Sequence, residues 1–110
     1  MIVVTGGAGF IGSALVHGLN QKGIEDIWLV DDIDHPEKQK NLDALIYARW
    51  VGKDDFLQEV AGLKLPSCSA ILHMGACSST TETNEDYLRK NNFEYTQSLA
   101  EYCLKKDVRF

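Results

Sequence analysis

Short runs of apolar residues alternate along this chain with longer stretches in which apolar positions recur every three or four residues. The short runs predict strands near residues 2–5, 27–30, 48–51 and 69–74. The longer stretches predict helices near residues 10–22, 54–61 and 84–106, with a shorter one near 41–47. This alternation is typical of an α/β protein with a parallel sheet and helices on both faces.

Individual positions refine this pattern. Ile11, Leu15 and Leu19 are predicted to form one face of the first helix, and Gly23 its left-handed C-terminal cap. Residues 33–40 are polar and contain Pro36, so they are predicted to form a loop. The stripe of the long helix that should face the sheet is formed by Leu88, Asn92, Tyr95, Leu99 and Tyr102.

The last residues, 108–110, have the character of the start of a fifth strand. Because a domain seldom ends within a central strand, we expect residues 1–110 to be the N-terminal part of a longer protein. The expected content is a dinucleotide-binding domain interrupted at its fifth strand, without the catalytic and substrate-binding region.

A glycine-rich turn joins the first strand to the first helix. Gly6, Gly9 and Gly12 follow a G-x-x-G-x-x-G spacing, and Gly7, Gly9 and Gly12 also satisfy G-x-G-x-x-G. Gly6 and Gly7 are expected to provide a tight turn with backbone angles that other residues avoid. Gly9 is expected to let the backbone approach a pyrophosphate, and Gly12 to let the helix pack closely on the strand. The free N–H groups of the helix N-terminus would then bind the anion.

A strand before this motif and a helix after it make the motif strong evidence for a dinucleotide site, and the alternative is a glycine-rich turn without a ligand. The predicted fold class is therefore a Rossmann-type, doubly wound parallel sheet, with about four to five strands in this chain.

Two aspartates end the second strand. Asp31 and Asp32 lie 19 and 20 residues after Gly12, where an acidic side chain commonly binds the ribose hydroxyls of NAD. Lys38 and Lys40 follow, and a lysine here can neutralise the 2′-phosphate of NADP. The alternatives are turn residues for the aspartates and plain surface lysines, so the residues leave the choice between NADP and NAD open.

The segment after the fourth strand is rich in small and polar residues. Gly75 and Ala76 would let the backbone pass close to a cofactor, and the hydroxyls at 78–81 can meet phosphate or sugar. The alternative for the hydroxyls is helix capping, since Ser79 and Glu82 have capping-box spacing. His73 is interpreted as a structural, hydrogen-bonded histidine, and Cys77 as a packing residue.

Tyr102 and Lys106 have the Tyr-x-x-x-Lys spacing of the catalytic pair in short-chain dehydrogenases. In those enzymes the pair lies on the helix after the fifth strand, whereas here it lies before it. Tyr102 also belongs to the apolar stripe. We therefore interpret the match as fortuitous, and expect no catalytic residue among these 110.

Composition limits the remaining classes. The chain is 45% hydrophobic and 25% charged, and its net charge is −5. An acidic protein is not expected to bind nucleic acid. The apolar runs are too short to span a membrane, so no membrane association is expected. Three widely spaced cysteines form neither a disulfide framework nor a metal motif, which favours a cytoplasmic protein without a metal site.

The stretch Thr5-Gly-Gly-Ala-Gly-Phe-Ile-Gly12 together with Leu72-His-Met-Gly-Ala76 resembles the extended short-chain dehydrogenase/reductase family of nucleotide-sugar epimerases and dehydratases. The block Gly-Ala-Cys-Ser-Ser-Thr-Thr-Glu at 75–82 is similar to the branch of that family that epimerises an ADP-linked heptose. Further similarities lie at 22–24, 54–57, 91–92 and 102–104. The resemblance covers all 110 residues, but only the cofactor-binding part of such an enzyme.

This resemblance implies roles for single residues. The N–H groups of Phe10 and Ile11 would contact the pyrophosphate, and Asp31, Asp32 and Lys38 would surround the adenosine ribose. The remaining pocket residues would be Lys53, Met74, Gly75, Ala76, Cys77, Ser78 and Asn91. The heptose-epimerising branch prefers NADP and often has Asp-Asn where this chain has Asp31-Asp32. That departure leaves NAD as the alternative cofactor.

The implied reaction of the whole protein is transient oxidation and re-reduction at C6 of the heptose, which supplies the lipopolysaccharide inner core. The substrate would be an ADP-linked heptose, and the full-length protein would form a homo-oligomer. The fragment alone is expected to be inactive. The alternatives are another nucleotide-sugar epimerase or dehydratase, and a non-catalytic dinucleotide-binding module.

Overall fold

The computed structural model describes residues 1–33, 36–75 and 93–110. Four strands alternate with four helices over these ranges. The strands are β1 (Ile2–Thr5), β2 (Ile27–Val30), β3 (Arg49–Val51) and β4 (Ala70–His73). The helices are α1 (Phe10–Gln21), α2 (Pro36–Asp43), α3 (Lys53–Ala61) and α4 (Tyr95–Lys106).

The strands form one parallel sheet with the order β3-β2-β1-β4. The chain winds outward from β1 to β3 and then returns to place β4 on the other side of β1. In such sheets a crevice opens beyond the carboxyl ends of the strands where the winding direction changes, here between β1 and β4. Beside β4, the N–H of Ile71 donates to the carbonyl of Arg109 at 2.8 Å, in a parallel bridge. This isolated bridge lies within residues 108–110, where the sequence predicted the start of a fifth strand, and the sheet of the described residues has four strands.

Helices cover both faces of the sheet, as the alternation predicted. Neighbouring residues of β1 point to opposite faces, because side chains alternate along a strand. Val3 packs in a cluster with residues of α3 and α4, including Phe56 and Leu99. Val4 packs in a second cluster with residues of α1 and α2, including Val16 and Leu42. The fold class predicted from the sequence is therefore confirmed.

The first helix shows one wrong prediction. It buries Gly12 and Val16, whereas Ile11 and Leu15 are 58% and 37% exposed. Leu19 is partly buried in the cluster. Close approach of the helix to the glycine turn at Gly12 decides which face lies inward, and this rotates Ile11 and Leu15 toward solvent. Gly23 has φ +81°, as its predicted capping role requires.

The region predicted as a loop contains a helix. α2 runs over Pro36–Asp43, so the loop prediction for 33–40 and the helix prediction for 41–47 are both wrong at their boundaries. Pro36 begins the helix, where its missing N–H and fixed φ cost nothing. In α4, Tyr95, Leu99 and Tyr102 are buried as predicted, and Leu88 and Asn92 lie outside the described residues.

Candidate cofactor site

The turn between β1 and α1 is held in a conformation that two of its glycines permit. Gly6 has φ +64°, and a Cβ there would lie 2.5 Å from the carbonyl oxygen of Met74. A Cβ at Gly12 would collide with the carbonyl oxygen of Gly6 and lie 2.9 Å from Gly7 Cα. The turn is thus compressed between the end of β4 and the first turn of α1.

Gly7 and Gly9 differ in what surrounds them and therefore in why glycine is suited to each position. Gly7 does not have a positive φ, so the prediction of an unusual backbone angle there is wrong. Its Cβ would lie 2.6 Å from Leu29 Cγ, so glycine is needed because the turn packs closely on β2. At Gly9 an added Cβ would meet Gly6 O at 3.3 Å and nothing else within 4 Å. The backbone at Gly9 is therefore crowded only by the carbonyl of Gly6, which leaves its other sides accessible to a ligand.

Helix α1 begins immediately after this turn. Gly9 is its N-cap residue, and no side chain caps the helix. The first intrahelical bond is donated by Ser13 to the carbonyl of Gly9 at 2.9 Å, which leaves the N–H groups of Phe10, Ile11 and Gly12 for another acceptor. The side chain of Phe10 is 89% exposed. An uncapped helix N-terminus at this place suits a pyrophosphate group.

Asp31 holds the glycine turn to the end of β2. Its Oδ2 accepts the N–H of Ala8 at 3.1 Å, and its Oδ1 accepts the N–H of Asp32 at 2.8 Å and Lys38 Nζ at 3.0 Å. The side chain is only 11% exposed. A carboxylate has about four lone-pair sites, so roughly one remains for a ribose hydroxyl. Asp31 therefore both fixes the positions of the neighbouring groups and keeps an acceptor site for a ligand.

Asp32 and Lys53 lie beside this carboxylate. Asp32 is exposed, and its Oδ1 accepts the N–H of Lys53 at 3.1 Å, at the first residue of α3. Lys53 Nζ lies 5.2 Å from the ring centre of Tyr95, on α4. The two aspartates, which look equivalent in sequence, thus have different surroundings.

Asn41 was not predicted from the sequence. Its Nδ2 donates to the carbonyl of Ala8 at 2.7 Å, from the last turn of α2. The Ala8 residue is therefore held at its N–H by Asp31 and at its carbonyl by Asn41. A contact between a side chain and a distant backbone carbonyl gives no pattern in the sequence. A groove of about 610 Å³ lies between the turn and α2, lined by Ala8, Gly9, Phe10, Glu37, Lys38, Lys40 and Asn41.

A hydrogen-bonded network links β1 to β4 at the sheet's carboxyl edge. Thr5 is fully buried, and its Oγ1 accepts the N–H of Gly75 at 3.1 Å. His73 has a hydroxyl partner on each ring nitrogen, Thr5 at 2.6 Å from Nδ1 and Thr96 at 3.0 Å from Nε2. His73 is therefore hydrogen-bonded at both ring nitrogens, as the sequence predicted. Burial and, secondarily, the Lys53 ammonium lower the pKa of His73.

We expect this histidine to make stability depend on pH. An unfolded histidine titrates near 6.5, and the folded His73 has a lower pKa, so the folded state disfavours the proton. The stabilising contribution is complete above pH 6.5 and is lost as pH falls from there through the folded pKa. Thermal melting at pH 7.5, 6.5 and 5.5 should show a falling midpoint, and His73→Gln should flatten the fall. The exposed His17→Gln is the control, and an equal flattening there would contradict the assignment.

Tyr95 closes the network from α4. Its ring packs edge-on against His73, with ring centres 4.7 Å apart. Burial raises the pKa of Tyr95 strongly, and the charges of Asp31 and Asp32 add to the rise, against a smaller opposing effect of a hydrogen bond with Thr5. Its burial therefore disfavours ionisation of the Tyr95 phenol.

Tyr102 is buried in the cluster with Leu99 and Cys103, which supports its interpretation as a packing residue. Burial is also the first cause of its raised pKa. The described cysteines, Cys68 and Cys103, are free thiols. Within the described ranges, no group of three or more His, Cys, Asp or Glu side chains is placed to hold a metal ion.

The structure brings together most of the predicted cofactor residues at one edge of the sheet. Met74 and Gly75 meet the glycine turn, since the N–H of Met74 donates to Thr5 O at 3.1 Å. Four of the predicted cofactor residues lie outside the described residues, namely Ala76, Cys77, Ser78 and Asn91. The candidate capping box of Ser79 and Glu82 also lies outside them. None of the described helices has both the length and the apolar character needed to cross a membrane.

The parallel sheet, the compressed glycine turn and the acidic end of β2 define a dinucleotide-binding domain of the Rossmann type. The chain belongs to the NAD dependent epimerase/dehydratase family, whose model matches residues 2–110.

The chain is also similar to individual members of this family. The chain is 49% identical, over its whole length, to the ADP-L-glycero-D-manno-heptose-6-epimerase of Nitratidesulfovibrio vulgaris strain DP4, of which it covers 34%. It thus spans about a third of the length of the curated relatives it matches.

Solved structures of similar enzymes share the fold. The Helicobacter pylori ADP-L-glycero-D-manno-heptose-6-epimerase superposes with a TM-score of 0.81 at 23% identity, over 97% of this chain and 36% of that one. The Bacillus cereus UDP-glucuronic acid 4-epimerase, in complex with NAD, superposes with a TM-score of 0.78 at 25% identity, over the same shares.

Proposed function

We propose that this chain is the cofactor-binding part of an ADP-glyceromanno-heptose 6-epimerase that uses NADP. The observation that carries the proposal is the 49% identity, over the whole chain, to an enzyme of that name. The compressed glycine turn with its uncapped helix supplies a site for the cofactor's pyrophosphate. The class of reaction is then an isomerisation without net oxidation.

The described residues fit a dinucleotide. Phe10 and Ile11 would donate their N–H groups to the pyrophosphate, and the remaining acceptor site of Asp31 would hold a ribose hydroxyl. When bound, an oxidised nicotinamide would accept a hydride from C6 of the heptose and then return it, so that no net oxidation results. The residues of this chain would bind and orient that group, and the absence of a side chain at Gly9 would let the phosphates come close.

The preference for NADP is supported by the groove beside α2. Lys38 and Lys40 line it, with Glu37 as an opposing charge. Lys38 Nζ lies 3.0 Å from Asp31 Oδ1, at the edge where the ribose would sit. A lysine beside the ribose site can bind a 2′-phosphate as a point charge.

A second candidate is an epimerase or dehydratase for another nucleotide sugar that uses NAD. It is favoured by Asp31 and Asp32, because two carboxylates repel a 2′-phosphate, and by the B. cereus enzyme, which was solved with NAD. A non-catalytic dinucleotide-binding module is the third reading. Turnover of the ADP-linked heptose by the full-length protein separates the first from both others.

Further properties follow from the proposed enzyme. Its substrate would be an ADP-linked heptose, an intermediate for the lipopolysaccharide inner core. The catalytic tyrosine and lysine would lie outside these 110 residues, so the fragment alone would be inactive. The full-length protein would be a homo-oligomer. A location in the cytoplasm is supported by the nucleotide-sugar substrate and by the free thiols of Cys68 and Cys103.

Cofactor titration of the nucleotide-free, full-length protein tests the proposal. We expect NADP to bind more tightly than NAD. Lys38→Ala should weaken NADP about tenfold to 100-fold, because a charge-assisted contact is lost, and change NAD little. Lys22→Ala, which removes the same charge at the far end of α1, is the matched control.

Other outcomes have separate meanings. Tighter binding of NAD would move the assignment to the second candidate. Binding of neither cofactor would overturn the whole proposal. If NADP binds but the ADP-linked heptose is not epimerised, the cofactor site stands and the substrate assignment is wrong.

A further inference from the structure

Asn41 and Lys38 connect α2 to the cofactor site in different ways. They lie three residues apart, so both occupy one face of the helix. Lys38 Nζ donates to Asp31 Oδ1 at 3.0 Å and to the carbonyl of Asp32 at 3.1 Å, at the end of β2. Asn41 Nδ2 donates to the carbonyl of Ala8 at 2.7 Å, in the glycine turn.

These contacts form a closed circuit. The N–H of Ala8 donates to Asp31 Oδ2 at 3.1 Å, and Asp31 binds Lys38 through its other oxygen. The circuit returns through α2 and Asn41 to the carbonyl of Ala8. Ala8 itself is fully buried, so its backbone cannot turn to water if either contact is lost.

A 2′-phosphate would act on one side of this circuit. It carries negative charge, so it competes with the Asp31 carboxylate for the Lys38 ammonium and repels that carboxylate. The contact between Asn41 and Ala8 joins two neutral groups, so the phosphate leaves it intact. As Lys38 turns toward the phosphate, Asn41 continues to hold α2 against the glycine turn.

We propose that Asn41 is a positioning residue for the 2′-phosphate: it keeps α2 on the glycine turn while Lys38 exchanges Asp31 for the phosphate of NADP. The inference rests on the proposed function, because it assumes a cofactor with a 2′-phosphate. With NAD, Lys38 stays on Asp31 and α2 keeps both contacts. Loss of Asn41 therefore weakens NADP more than NAD.

The test is titration of both cofactors into the full-length Asn41→Ala protein. NADP affinity should fall about tenfold and NAD affinity about threefold or less, so the preference for NADP decreases. In a Lys38→Ala background no exchange occurs, so Asn41→Ala should weaken the two cofactors equally. Asn41→Gln, which keeps the amide donor, should restore part of the preference.

Asn20→Ala is the matched control for a merely structural effect. Asn20 also holds distant backbone, since it donates to the carbonyls of Ile24 and Ile46 and accepts the N–H of Ile46, each at 2.9 Å. These contacts lie away from the glycine turn, so Asn20→Ala should lower the melting temperature and leave the cofactor preference unchanged. Should Asn41→Ala not fold, Asn41→Ser carries the same test, because its hydroxyl is too short to reach Ala8.

Two failures are distinguishable. A wild-type protein that prefers NAD, or binds neither cofactor, contradicts the proposed function. A wild-type protein that prefers NADP, with an unchanged preference in Asn41→Ala, overturns the role of Asn41 alone. An equal loss for both cofactors in the presence of Lys38 also overturns it, because a general loosening of α2 then explains the effect.

Discussion

Gly12→Ala is expected to destabilise the protein by about 3 kcal/mol and to weaken the cofactor about 100-fold. The added methyl group would collide with the carbonyl oxygen of Gly6 and lie 2.7 Å from its carbon. Both are backbone atoms, so no side chain can move aside. The first turn of α1 must withdraw from the glycine turn, and its N–H groups then leave the position that a pyrophosphate needs.

Gly18→Ala is the matched control in the same helix. Nothing lies within 4 Å of the position of its Cβ. Alanine should therefore stabilise α1 by about 0.5–1 kcal/mol, because glycine is entropically unfavourable within a helix. Urea unfolding and cofactor titration of both variants make the comparison. If Gly12→Ala binds the cofactor as tightly as Gly18→Ala, the close approach of the turn and α1 is not needed for binding.

Asp31→Asn is expected to cost about 2 kcal/mol of stability and to weaken the cofactor at least about tenfold. The carboxylate accepts from Ala8 at one oxygen and from Asp32 and Lys38 at the other. An amide has one oxygen, so in either orientation its NH₂ group faces at least one of these donors. The substitution keeps the shape of the side chain, so the loss reports charge and acceptor geometry.

Asp32→Asn is the matched control one residue along. The carboxylate is exposed and its Oδ1 accepts the N–H of Lys53, which an amide oxygen can also accept. We expect a change within about 0.5 kcal/mol in stability, as for most surface substitutions. A larger loss of cofactor affinity in Asp32→Asn than in Asp31→Asn would show that Asp32 is the main ribose contact.

The contrast between the aspartates shows what sequence can resolve. Their place at the end of β2, after the glycine motif, predicted an acidic ribose site. Their spacing after Gly12 did not distinguish the role of Asp31 from that of Asp32. Only the folded chain turns Asp31 inward to Ala8 and Lys38 and leaves Asp32 exposed. Neighbouring residues at the end of a strand diverge according to the elements packed beside them.

The errors over helices have similar causes. Ile11, Leu15 and Leu19 have a regular helical spacing, but so do Gly12, Val16 and Leu19. Periodicity did not indicate that a glycine marks the buried face, because its contribution is the absence of a side chain where backbone meets backbone. Pro36 contributed to the loop prediction for residues 33–40, although a proline is also favoured at the first helical position. The choice between these meanings depends on whether later residues, here Leu42, find a core to pack on.

The sequence by itself determined the alternation of strands and helices, the glycine turn and the acidic end of β2, because these features depend on local spacing and residue chemistry. The tertiary structure decided which face of α1 is buried, why Gly7 must be glycine, and that Asn41 and Asp31 hold the Ala8 residue from two sides. These features depend on contacts between residues distant in the chain. Contacts made by backbone atoms leave no pattern in the sequence, because the backbone is the same at nearly every position. Only the folded arrangement shows them.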